Sequence, residues 1–87
     1  MRSYLLKISS PDGDLFCDNA VKLCVRGTEG DLAVMAGHVP LVTYVKPCNC
    51  KIELEDGSEK IGYTQGGVLT VGRDNVILLS GVFTWCQ

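Results

Sequence analysis

Hydrophobic residues recur along this chain with a period of two. Tyr4, Leu6 and Ile8 alternate with Leu5 and Lys7, and Val21, Leu23 and Val25 with Lys22, Cys24 and Arg26. Leu41, Thr43 and Val45 alternate with Val42, Tyr44 and Lys46, and Ile52 and Leu54 with Lys51, Glu53 and Glu55. Successive strand side chains point to opposite faces, so alternation over a short run marks a half-buried strand. No window repeats apolar residues at helical spacing beside a cap, so no helix is predicted. The longest apolar run, Val76-Ile77-Leu78-Leu79, has strand length and falls far short of the ~18–20 residues that span a bilayer.

Turn signals separate these runs. They are Pro11-Asp12-Gly13, Gly27 to Gly30, Gly37 to Pro40, Pro47-Cys48-Asn49, Asp56-Gly57, Gly66-Gly67 and Arg73-Asp74-Asn75. Asp56-Gly57 between two alternating runs predicts a tight hairpin with a primed turn, because glycine accepts a positive φ. Gly66-Gly67 leads into the strand-like Val68-Leu69-Thr70-Val71. It predicts a bend where backbones approach, not a phosphate-binding loop opening a helix. Breaks about every 8–12 residues predict an all-β sandwich or barrel.

Length and charge narrow the class. Eighty-seven residues predict one domain over 1–87 with a small core, burying roughly 60–65% of the unfolded surface. Modest stability is expected unless a partner adds to it. The hydrophobic fraction is 46% and the charged fraction 21%, a globular composition. Net charge is −2 and no two of the eight Lys and Arg residues are adjacent, which excludes a phosphate-neutralising stripe and with it nucleic-acid binding. The start MRSYLLKISSPDG has too short an apolar stretch for a signal peptide, so a soluble, intracellular protein is expected.

Five cysteines, Cys17, Cys24, Cys48, Cys50 and Cys86, are many for this length. An odd number without an export signal points to small buried residues or free thiols, not a disulfide framework. Cys48-x-Cys50 is closer than the usual zinc knuckle, and His38, Cys17, Cys24 and Cys86 offer no recognisable spacing for further ligands. No metal or cofactor is predicted. The single histidine, His38, has no partner recognisable as a thiol-enzyme signature, so no catalytic residue is assigned. Glu29 and Asp31 flank Gly30 in a solvated turn, which serves solubility or meets basic loops of a partner. Phe83 and Trp85 share one strand face and are expected in the core.

The stretch from Gly27 to Thr43, GTEGDLAVMAGHVPLVT, resembles the epsilon subunits of F-type ATP synthases. That family reads G-x-E-G-x-L-G-I-x-P-G-H-x-P-L-x-T there, followed by a K-P-G turn. Ser10-Pro11-Asp12-Gly13 is similar to its first turn and Lys51-Ile52 to the start of its next strand. Gly66-Gly67-Val68-Leu69-Thr70-Val71 is similar to its G-G-x-L-E-V, and Asn75-Val76-Ile77-Leu78-Leu79 to its N-V-x-V-L. The resemblance covers about residues 3 to 82. It implies a ten-stranded β-sandwich of two antiparallel sheets, at the foot of the rotor's central stalk. Its implied partners are the gamma subunit and the ring of c subunits. It implies no catalysis, and a peripheral place on the cytoplasmic face of the inner or plasma membrane, held there through the complex. Carried over position by position, Glu29, Gly30 and Asp31 match the acidic turn that faces the ring, and Gly37, His38 and Pro40 a loop near the rotor contacts.

Several positions depart from the family. Ala33 and Ala36 stand where Gly and Pro are common, and Cys48 replaces the turn glycine of K-P-G. The helical hairpin that usually follows the sandwich, a brake on ATP hydrolysis in many members, is not expected in a chain ending at Gln87. Two further readings stand beside the stalk subunit. One is a sandwich binding module with metal- or redox-linked cysteines, distinguished by stoichiometric zinc. The other is a small thiol enzyme, distinguished by a thiol reactive well below the free-cysteine pKa of ~8.5.

Overall fold

A computed structural model describes residues 2–86. Nine strands form in chain order, and no helix forms among these residues. They are β1 (Tyr4–Ser10), β2 (Gly13–Gly27), β3 (Gly30–Met35), β4 (Leu41–Val45) and β5 (Cys48–Leu54), followed by β6 (Glu59–Thr64), β7 (Gly67–Val71), β8 (Asn75–Ser80) and β9 (Phe83–Cys86). Their hydrogen-bonded order is β1-β8-β7-β4-β2-β5-β6-β9, with β3 added on β2 and a further pairing of β1 with β2. The expected all-β class holds. The strand count is nine where ten were expected, and β1 pairs β8 in parallel where antiparallel sheets were expected.

β2 explains the continuous order. It runs for 15 residues, with its first half paired to β1 and its second half to both β3 and β5. A register shift between Ala20 and Lys22 lets the strand bend, and there both Ala20 and Val21 are buried. The predicted alternation is seen in burial: Tyr4, Leu6, Ile8, Leu23, Val25 and Ile52 are buried, together with Leu69, Val71, Val76 and Leu78. All of these belong to a single core cluster, against which Phe83 and Trp85 pack half-buried.

The turns obey their residues. In both Pro11-Asp12-Gly13 and Thr28-Glu29-Gly30 the positive φ falls on the glycine, at +128° and +121°, and two residues bridge each hairpin. The Asp56-Gly57 hairpin forms, but as a longer loop. Leu54 N–H donates to the Ser58 carbonyl, Gly57 alone has positive φ, and the Asp56 carboxylate accepts the Ser58 N–H at 2.8 Å. The side chain thus does the work that a primed turn would require of Asp56's backbone. Cys48 and Asn49 begin β5 instead of forming a turn.

Gly66-Gly67 is the expected close approach. A Cβ on Gly67 would collide with the Leu79 carbonyl, and Gly66 sits at φ +115° beside the Val45 carbonyl. Here a buried relay ties two corners: Gly66 N–H donates to Thr64 Oγ1 at 3.0 Å, Thr64 Oγ1 lies 2.6 Å from Ser80 Oγ, and Ser80 Oγ donates to the Val82 carbonyl at 2.8 Å. This assignment gives every hydroxyl proton one acceptor.

Candidate functional site

The six residues singled out by sequence fall into two groups at opposite ends of β3. Glu29 lies in the β2–β3 turn and Gly30 and Asp31 open β3, whereas Gly37, His38 and Pro40 lie in the loop to β4. About 13 Å of strand, from Asp31 to Met35 at ~3.3 Å per residue, separates the groups. In the first group, Arg26 Nε donates to Asp31 Oδ1 at 3.1 Å, and Glu29 is exposed at the tip. Both side chains of the Arg26–Asp31 pair are largely exposed, so the pair adds at most about 1 kcal/mol to the fold.

The second group is a built turn. His38 N–H donates to the Met35 carbonyl at 3.1 Å, and Gly37 takes φ +86° in between, the geometry that calls for glycine at the third residue of a type II turn. His38 Nδ1 lies 2.7 Å from the Val39 carbonyl, which fixes Nδ1 as the protonated nitrogen because a carbonyl only accepts. The Arg2 guanidinium rests against Gly37. Pro40 is exposed and sets the entry into β4.

Between the two groups runs a surface that sequence reasoning passed over. Val42 and Tyr44 point outward from β4 and are each 70% exposed. The register places Val42 opposite Thr70 on β7, Ile77 on β8 and Lys7 on β1. The next row is Tyr44, Val68, Leu79 and Ser9. Leu79 is 52% exposed, and Val39 beside Pro40 is 73% exposed. Apolar side chains therefore face outward across β4, β7 and β8, and on β1 the two rows end in Lys7 and Ser9. Its Tyr44 end abuts the acidic turn, because Val45 pairs with Gly27.

The signal was present in the sequence. Leu41-Val42-Thr43-Tyr44-Val45 and Val76-Ile77-Leu78-Leu79 are apolar on both parities, as strands are when both faces are covered. The outward face of β2, β3, β5 and β6 differs. It carries Lys22, Glu53 and Glu59 in one row and is laced by Arg26–Asp31 and by Lys51–Glu59 at 3.2 Å. One outward face thus mixes these charges with exposed Met35, Ile61 and Tyr63, and the other holds the Val42, Tyr44 and Leu79 patch.

The remaining candidate chemistry is quiet. All five cysteines are free thiols, spread over β2, β5 and β9. Among the described residues, no group of three or more His, Cys, Asp or Glu is placed to hold a metal ion. Burial, helped by Cys24, pushes the Tyr4 hydroxyl well above its usual range, and that hydroxyl donates to the Val34 carbonyl at 2.9 Å. No helix among the described residues is long and apolar enough to cross a membrane.

The shape recurs in solved ATP synthases. A chain of the Euglena gracilis mitochondrial enzyme, solved by cryo-EM as OSCP/F1/c-ring in rotational state 1, superposes with a TM-score of 0.90 at 21% identity. The match covers 95% of this chain and 53% of that one. A chain of the Tetrahymena thermophila mitochondrial central stalk and c-ring superposes at 0.76 with 13% identity, covering 94% of this chain and 66% of that one. This chain thus spans about half the length of the Euglena protein it matches. At such identities the likeness concerns fold. The sequence supplies the rest, since a family model for the ATP synthase delta/epsilon chain beta-sandwich domain matches residues 3–85, and to that family the chain belongs.

Proposed function

We propose that this domain is a non-catalytic rotor part of the central stalk of an F-type, proton-transporting ATP synthase. It links gamma to the c ring and helps couple ion flow to ATP synthesis. The observation that carries this reading is the outward apolar patch of β4, β7 and β8, on a different face from the Arg26–Asp31 and Lys51–Glu59 pairs. Contiguous exposed apolar surface on a small domain marks a partner interface. Gamma covers this face, and Tyr44, Val42 and Leu79 are its anchors.

The turn of Glu29, Gly30 and Asp31 at the Tyr44 end meets polar loops of the ring through charge complementarity. Gly37, His38 and Pro40 border the gamma contact at the other end. Residues 1–87 work as one sandwich of two facing layers sharing the bent strand β2. The domain sits peripherally, on the cytoplasmic face of the inner or plasma membrane, held there only through its partners. Matches to chains of one assembly described as OSCP/F1/c-ring and another described as central stalk and c-ring support this reading.

The test is capture of the gamma subunit by purified protein. The wild-type chain binds one to one, and the double variant Tyr44→Lys, Leu79→Lys loses binding by at least about tenfold, the cost of burying an unpaired charge in an interface. Equal binding by that variant removes gamma from this face.

A further inference from the structure

The docking reading leaves the cysteines unused, yet two of them sit where the sheet comes apart. The β2–β5 ladder ends at Cys24 and Lys51. Beyond it β2 turns toward β4, and the Lys46 N–H donates to the Arg26 carbonyl at 2.9 Å. The Arg26 N–H has no strand partner and donates instead to Cys48 Sγ at 3.3 Å. The split opens a groove of about 630 Å³ with Cys48 in its wall, between Arg26, Asn49 and Tyr63. Cys50, two residues on, points to the same side of β5 and is fully buried beneath it.

From the β2–β5 split and the two thiols stacked beneath it, we infer that Cys48 and Cys50 form a reversible disulfide when the protein meets a peroxide. The half-buried Cys48 thiol is the one the groove lets a small oxidant reach. It attacks one peroxide oxygen and becomes a sulfenic acid, releasing water. The Cys50 sulfur then attacks the Cys48 sulfur, the sulfenic oxygen leaves as a second water, and the S–S bond closes. Two thiols have lost two protons and two electrons, and the peroxide has been reduced to two waters.

Strand geometry decides the character of this bond. Two residues of extended chain put the Cα atoms, and the parallel Cβ atoms, ~6.6–6.8 Å apart, whereas a disulfide brings the Cβ atoms to ~3.5–4.5 Å. Closure therefore needs β5 to shorten. It can do so here because in the ladder residues 48–50 pair only with β6, the β2 pairing having ended at Lys51. A strained bond is readily reduced, as a switch requires. Closure also draws Cys48 Sγ away from the Arg26 N–H, and Arg26 is the residue that holds Asp31 in the turn. Burial first, and Cys48 next, push the Cys50 thiol up to about 12, so ring closure is slow near neutral pH and accelerates as pH rises.

The test needs no partner subunit and so stands or falls apart from the docking reading. The full chain with Cys17, Cys24 and Cys86 changed to serine is treated with hydrogen peroxide at low protein concentration. Its mass falls by two hydrogens, the peptide holding Cys48 and Cys50 resists alkylation until dithiothreitol is added, and closure quickens about tenfold per pH unit. Cys50→Ala stops at a dimedone-reactive sulfenic acid on Cys48. Amide exchange at Arg26 becomes roughly fivefold faster in the oxidised form. Two thiols still open to alkylation after peroxide, or dimers linked between chains in place of the internal bond, overturn the proposal. Oxidation of Cys50 at an unchanged rate in Cys48→Ser overturns the assignment of Cys48 as the first thiol. Unchanged exchange at Arg26 overturns the link to the turn.

Discussion

Replacing Thr64 with valine keeps the shape of the side chain and removes one hydroxyl. In the native chain that hydroxyl accepts the Gly66 N–H at 3.0 Å and contacts Ser80 Oγ at 2.6 Å in a site where Thr64 is fully buried. The substitution deletes two hydrogen bonds and leaves the Gly66 N–H without its acceptor. Losing the Ser80 bond costs about 1 kcal/mol and orphaning the Gly66 donor, its lost bond included, about 1–3 kcal/mol, so the sum is roughly 2–4 kcal/mol. A domain of this length holds only about 4–13 kcal/mol in total. The melting temperature should fall by about 10–25 °C, at roughly 4–8 °C per kcal/mol for a small domain. In urea the midpoint should drop with an unchanged slope, because native and unfolded surfaces stay the same. Thr64→Ser, which keeps the hydroxyl, should cost clearly less. Ser80→Ala combined with Thr64→Val should cost less than the sum of the two, since the pair shares one bond. If Thr64→Val melts within about 0.5 kcal/mol of wild type, the relay does not hold the corners together and the reasoning fails.

Other perturbations test other parts. Changing Glu29 and Asp31 together to lysine should weaken ring binding mainly through a slower, salt-dependent association, while stability stays within about 1 kcal/mol because the Arg26–Asp31 pair is exposed; reconstituted ring with varied salt is the assay, and unchanged association removes the turn from the contact. Gly67→Ala should lose about 2 kcal/mol or more, because its methyl would run into the Leu79 carbonyl; a urea midpoint equal to wild type would contradict that crowding. Asp56 has its carboxyl pKa lowered, first by the Ser58 hydroxyl and then by the Ser58 N–H. Its contribution to stability is therefore present above the ordinary carboxylate range and lost as pH falls through the lowered value. Asp56→Asn should flatten that acid limb in urea midpoints measured against pH, and an unaltered limb would refute the assignment.

Much of this fold lies open in the sequence, for a physical reason. Where one strand face is buried and the other wet, alternation such as Tyr4, Leu6, Ile8 against Leu5 and Lys7 shows directly in the residues. Glycine turns are equally legible, because positive φ is nearly a private property of glycine, and Gly13, Gly30, Gly37, Gly57 and Gly66 all use it. The first half of β2 was not legible. Asp14 to Asn19 mixes charges with Leu15, Phe16 and Cys17, and its pairing with β1 is a long-range fact that local pattern does not carry. The strand Phe83–Cys86 showed only as a pair of aromatics, since a short edge strand has few residues in which to repeat.

Of the candidate site, sequence located the polar and glycine positions and missed the apolar ones. Alternation sets Val42 and Tyr44 on the parity of Lys46, away from Leu41 and Val45, but only the register with β7 and β8 shows which apolar neighbours join them outside. The separation of Glu29 and Asp31 from His38 was hidden as well, because proximity in sequence concealed the extended strand from Leu32 to Met35 between the two groups.

The bent strand β2 has a mechanical consequence. It pairs β1 with one half and β3 and β5 with the other, and its end reaches β4. A load entering at the β2–β3 turn is passed along the strand axis, where many ladder bonds resist sliding at once and none is peeled singly. The chain is thus stiffest along the line from the Glu29 tip into the sheet, and softest across the open edges of β3 and β9. As an element in a rotating shaft, such a domain would behave as a strut with a preferred axis.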